Sequence, residues 1–239
     1  MRFLPLLASI MLFTAAGFAT VAHASSSEAA ALGAKLVAQG DADGAVAAYE
    51  KAVALDPHNS GLHLQLARAY GLAAEKAGMF SKMSWAKKAR LAYEKAVELD
   101  PRNLAARENL MSFYQMAPSM MGGGLDKARE QAAAIRQLDP VRGHVAFGMI
   151  AQSEKNYSAA ADEFEAALLT APDNYAALFQ VGRTAALSGE RLDRGADTLR
   201  RCLAMTPPAG APGHEAAHWR LGNIHEKRGD KAAARAAYE

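Results

Sequence analysis

The chain has 239 residues with 27 Lys+Arg against 25 Asp+Glu, a net charge of +2. That near-neutral balance argues against a nucleic-acid-binding protein, which should show a basic stripe. The single cysteine, Cys202, cannot form an internal disulfide and reads as a small apolar residue of a buried face.

In chain order, residues 1–24 come first. Arg2 is their only formal charge, an apolar run extends from Phe3 to Val21, and "AHA" ends at Ala24. A positive start, an apolar stretch and small residues at a cleavage site describe a secretory leader, so the mature chain is expected to begin at Ser25 in the periplasm or outside the cell. The competing expectation is a retained anchor, giving a membrane-tethered receptor, because the run approaches the ~20 residues of a spanning helix. Pro5 and Gly17 interrupt the run and favour cleavage. A membrane association is expected only if this segment stays.

Beyond the leader the sequence repeats itself. "AYEKAVALDP" (residues 48–57) returns as "AYEKAVELDP" (92–101), with weaker copies "QAAAIRQLDP" (131–140), "EFEAALLTAP" (163–172) and "TLRRCLAMTP" (198–207). A proline closes each copy, at Pro57, Pro101, Pro140, Pro172 and Pro207. Upstream of each proline, three residues share one helical face. They are Ala45, Tyr49 and Ala52; Ala89, Tyr93 and Ala96; Ala128, Ala132 and Ile135; Ala160, Phe164 and Ala167; and Gly195, Leu199 and Cys202. Small residues allow close helix approach while the large one fills the groove between neighbours.

A second helix precedes each of these. It carries Leu66, Ala67 and Tyr70; Leu110, Met111 and Tyr114; Phe147, Gly148 and Ala151; Val181, Gly182 and Ala185; and Leu221, Gly222 and His225. The layout resembles the tetratricopeptide repeat, whose pattern is W-x2-L-G-x2-Y…A-x3-F…P in ~34 residues. The resemblance implies an all-α, right-handed α-solenoid of antiparallel helix pairs. Its units are expected at 26–58, 59–101, 102–140, 141–172, 173–207 and 212–239, with Gly40, Gly189 and Gly229 at turns inside a pair. Such a solenoid usually ends on a polar capping helix, so a cap or a partner is expected after Tyr238 and Glu239.

Two units run longer than the ~34-residue repeat. "GLAAEKAGMFSKMSWAKKA" (71–89) lengthens one pair, and "QMAPSMMGGGLDKAR" (115–129) enlarges the turn of the next. Insertions at equivalent places project on one face. One adaptable edge is therefore expected from Met79, Phe80, Met83, Trp85, Met116, Met120 and Met121. The three glycines lack a following Lys-Ser/Thr, so they are no phosphate-binding loop.

The remaining motif is "HEAAH", His214 to His218, which matches the zinc-hydrolase pattern H-E-x-x-H. In that alternative His214 and His218 ligate zinc and Glu215 activates water. The repeat register explains the neighbourhood better, because Leu221, Gly222 and His225 occupy packing slots. On one helix His218 and His225 are about 10 Å apart, too far for one zinc. Neither an enzyme nor a cofactor is expected.

The repeat implies a binding module for protein or peptide partners. Periodicity places Leu64 and Arg68; Glu108, Ser112 and Gln115; Met149 and Gln152; Phe179 and Arg183; and Trp219, Asn223 and Glu226 on the concave face of the front helices. Arg68, Arg183 and Arg220 can each hold a carboxylate by a bidentate contact. The clamp known for chaperone C-termini needs Lys and Asn on an early front helix, where this chain has Ala30, Ala34 and Val37, so that function is not carried over.

Overall fold

The computed structural model describes residues 25–239; residues 1–24, on which the expected leader falls, lie outside the described residues. The described chain is all-α, as the repeats imply, with no strand among the described residues. It divides into two compact units, the first ending at Gly124 and the second running Leu125–Glu239.

The first unit holds α1 (25–38), α2 (Ala42–Leu55), α3 (Ser60–Lys76), α4 (Met79–Leu99), α5 (Leu104–Met116) and the short 3-10 turn η1 (Ser119–Met121). The second holds α6 (Leu125–Leu138), α7 (Pro140–Ser153), α8 (Tyr157–Thr170), α9 (Tyr175–Ser188), α10 (Leu192–Leu203), α11 (His214–Lys227) and α12 (Lys231–Tyr238). From α2 to α5 in the first unit, and from α6 to α12 in the second, each helix packs on the next. Front helices also touch their successors, α3 on α5, α7 on α9 and α9 on α11.

Polar caps set the helix starts. The side chains of Asp41, Asn59, Asn103, Asp139, Asn156, Asn174 and Asp230 each accept a hydrogen bond from the backbone N–H three residues on. The glycines inside the pairs, Gly40, Gly189 and Gly229, have φ of 74°, 84° and 77°. That left-handed conformation ends a helix at least cost when no Cβ is present. Pro140 departs from the expected closing role. It begins α7, behind the Asp139 cap, where its fixed φ and missing N–H suit the first helical turn.

The core follows the repeated triplets. All fifteen triplet positions, from Ala45 to Cys202, are buried. In four helix pairs a glycine of the first helix receives the large residue of the second. A Cβ on Gly33 would lie 2.8 Å from Tyr49, on Gly148 2.4 Å from Phe164, on Gly182 2.3 Å from Leu199, and on Gly222 2.2 Å from Tyr238. These glycines are therefore contact surfaces, and the large side chains packed on them hold each pair together. A repeated polar contact adds to this in the first unit. Tyr70 donates to Glu50 at 2.7 Å, and Tyr114 donates to Glu94 at 2.8 Å, in identical repeat register.

Candidate partner-binding surfaces

In the first unit the front helices are α3 and α5. Arg68 is exposed on α3 and its Nε donates to Asn109 Oδ1 on α5 at 3.3 Å. It has no ion-pair partner among the described residues, so its charge faces solvent. Gln115 is half-buried near the end of α5, as are Glu108 and Ser112. Leu64, expected on the same face, is buried in the core instead.

The two extensions do not lie level. Met79 and Phe80 stand at the free tip of the α3–α4 hairpin, with Phe80 91% exposed. Met83, one turn on, is also exposed. Met116 and Met120 are exposed, and Met121 is half-buried. The η1 turn packs on α4 beside Arg90, where a Cβ on Gly122 would come within 2.8 Å of Arg90 Nε. Arg90 is roughly 16 Å along the helix axis from Met79 at 1.5 Å per residue. The expected edge is thus a tip and a separate shoulder. Trp85 belongs to neither. It stacks on Tyr70 with centroids 5.6 Å apart, and Lys88 Nζ lies 4.6 Å from its ring. Half-buried, it props the long helix α4 against α3.

In the second unit the front helices are α7, α9 and α11. Gln152 and Phe179 are not open to a ligand. Gln152 is buried and donates to Thr184 Oγ1 at 2.6 Å, while Phe179 is packed in the core around Phe164 and Leu199. Period alone put both on the face, and inter-helix packing turned them inward. Arg183 on α9 and Arg220 on α11 remain half-exposed and lie near each other. Burial, and then the Arg183 charge, hold the Arg220 guanidinium below its usual pKa. Neither arginine has an ion-pair partner among the described residues. Arg183 Nε is buried without a hydrogen-bond partner, as is Oε1 of Gln180 one turn earlier on the same face of α9. Gln180 was not anticipated; its spacing of three from Arg183 was the available signal.

Beside this pair Trp219 is 53% exposed, with the Arg220 guanidinium 4.2 Å from its ring centroid. Asn223 donates to the Tyr238 hydroxyl at 2.8 Å and so is tied to α12. A depression of about 300 Å³ is lined by Glu215, His218 and Trp219, by Ala236, Ala237 and Tyr238 of α12, and by Glu239.

The "HEAAH" segment forms the first turn of α11. His214 Nε2 is hydrogen-bonded to the Met205 carbonyl oxygen at 2.8 Å, so ligation through that nitrogen would break a contact closing the α10–α11 loop. Among the described residues, no three His, Cys, Asp or Glu side chains are grouped to hold a metal ion.

Two family models, both described as tetratricopeptide repeat, match residues 36–73 and 63–103. No curated protein matches the sequence. Among solved structures, the chain is similar to pilF of Pseudomonas aeruginosa at 16% identity and TM-score 0.62, covering 90% of each chain. It is similar to PilW, described as a widely conserved type IV pilus biogenesis factor, at 15% identity and TM-score 0.62, covering 89% of this chain and 90% of that one. A tetratricopeptide-repeat protein of Thermus thermophilus aligns at 19% identity and TM-score 0.58, covering 88% of this chain and 99% of that one. At these identities the likeness is one of fold.

Proposed function

We propose that the chain, which carries tetratricopeptide repeats over residues 36–103, is a non-catalytic scaffold of the cell envelope that holds protein or peptide partners on its front helices. The observation that carries this is the Arg183–Arg220 pair. Two neighbouring guanidiniums without a carboxylate repel each other. A partner's carboxylate, from an acidic side chain or a chain terminus, relieves that repulsion with bidentate hydrogen bonds to the accessible guanidinium nitrogens. Trp219 supplies an exposed aromatic anchor beside that charge, a residue type enriched at binding hot spots. Arg68 offers a separate cation of the same kind in the first unit.

The envelope placement is supported by the leader-like residues 1–24. Crosslinked capture from the envelope fraction tests the partner reading, comparing wild type with the Arg183→Gln/Arg220→Gln double variant. Partners retained by wild type and lost by the double variant are expected. An identical set of partners on both proteins would overturn the arginine site.

A further inference from the structure

The α3–α4 hairpin ends in side chains that no intramolecular packing explains. Met79 is 79% and Phe80 91% exposed, and Met83 lies one turn further on the same side of α4. Met79 and Phe80, exposed this fully, form no groove walls and protrude from the turn, while Met83, 39% exposed, is partly covered at their base.

Cations predominate in their electrostatic setting. Residues 76–93 contain Lys76, Lys82, Lys87, Lys88 and Arg90 and no acid; Glu75 is the nearest acid before them in sequence. Three of the cations are engaged. Lys76 donates to the Gly40 carbonyl, Lys88 lies over Tyr70 and Trp85 and 3.9 Å from Glu50, and Arg90 pairs with Glu94 at 2.7 Å. Lys82 and Lys87 are exposed and have no ion-pair partner among the described residues. Two free lysines thus flank a protruding apolar tip.

We propose that the tip of the α3–α4 hairpin, Met79, Phe80 and Met83 flanked by Lys82 and Lys87, docks on the anionic phospholipid surface of a membrane. Isolated apolar protrusions suit a bilayer interface, which deforms around each one, whereas a protein partner must present a matched cavity for each. The lysines supply attraction to lipid phosphates, and their long stems let the ammonium groups stay at headgroup depth while the apolar tip enters. The contact is peripheral, since no helix of the described residues is long and apolar enough to cross a membrane. It goes beyond the partner-binding reading and does not depend on it.

The test uses the protein as isolated from cells, with Phe80→Cys carrying an environment-sensitive fluorophore. The one other cysteine, Cys202, is fully buried and does not compete for the label. Leu169→Cys, at an exposed site on α8 in the other unit, serves as the control. Vesicles of phosphatidylcholine with phosphatidylglycerol are expected to blue-shift the label at position 80 and leave the one at position 169 unchanged. Pure phosphatidylcholine should give little shift. Lys82→Gln and Lys87→Gln should each weaken the response about fivefold. Vesicle binding with position 80 still in water, or an equal shift at both positions, overturns the proposal. A shift at position 80 produced by envelope proteins and not by vesicles also overturns it, in favour of a protein occupant.

Discussion

At Gly148 the missing Cβ is what admits the Phe164 ring, which is fully buried. Alanine there gains up to ~1 kcal/mol of helix propensity but overpacks a filled core, which costs ~1–3 kcal/mol. Gly148→Ala is therefore expected to destabilise by about 1–2 kcal/mol in urea unfolding, and an unchanged midpoint would contradict the packing seen. Gly71, inside α3, has nothing within 4 Å of a Cβ, so Gly71→Ala should instead stabilise by about 0.5–1 kcal/mol. Burial also gives stability an alkaline limit. It pushes the Cys202 thiol from 9.0 up to about 11, and it raises the hydroxyls of Tyr49, Tyr70, Tyr93 and Tyr175 above their ordinary 10.0. Above pH 9 the unfolded thiol ionises while the folded one does not, so the unfolded state gains. The contribution is complete below pH 9 and is lost as pH rises through about 11. Urea midpoints should fall across this window, and Cys202→Ala should flatten the first part of the fall while leaving the tyrosine part above pH 10.

At the scale of elements, α4 shows how a long helix is held beyond the repeat. Trp85 lies flat on Tyr70, so Trp85→Ala removes a half-buried aromatic pair and should cost about 2 kcal/mol. Hydrogen exchange should then quicken across Met79–Ala86 with α2 unaffected. Phe80→Ala, in solvent, should stay within about 0.5 kcal/mol. The sequence made the helix pairs legible because a large residue flanked by small ones, such as Ala160, Phe164 and Ala167, can recur at this spacing only by facing a neighbouring helix. It misplaced Gln152 and Phe179 because periodicity defines a stripe and not its width. At the stripe's margin, burial depends on how deeply the next helix sits, which no single helix encodes. The Tyr70–Glu50 and Tyr114–Glu94 bonds were equally invisible within one repeat, since each joins a front helix to the back helix before it. The lone charges of Arg183 and Arg220 were legible as residues. Their pairing was not, because it depends on α9 meeting α11.

Across the whole chain, repeat counting treats Tyr114 to Ala128 as an enlarged turn, and the boundary between the two compact units falls inside it, at Gly124. The leader-like segment stands apart from this register, since the packing positions of α1 begin with Ser26, Ala29 and Gly33, all buried. Removing residues 1–24 therefore takes away none of these positions. The mature protein from the envelope fraction is expected to begin Ser25-Ser26-Ser27 on N-terminal sequencing. Salt separates the two ways in which this chain can reach a membrane. An apolar anchor holds by hydrophobic burial, which salt does not weaken, and a retained Met1 with salt-resistant pelleting would establish the tethered form. Lys82 and Lys87 act through a field whose reach shrinks from about 8 Å at physiological ionic strength to about 3 Å at 1 M. A chain beginning at Ser25 that pellets with membranes at low salt and is released at high salt is thus the outcome expected when the leader is cleaved and the hairpin tip makes the contact.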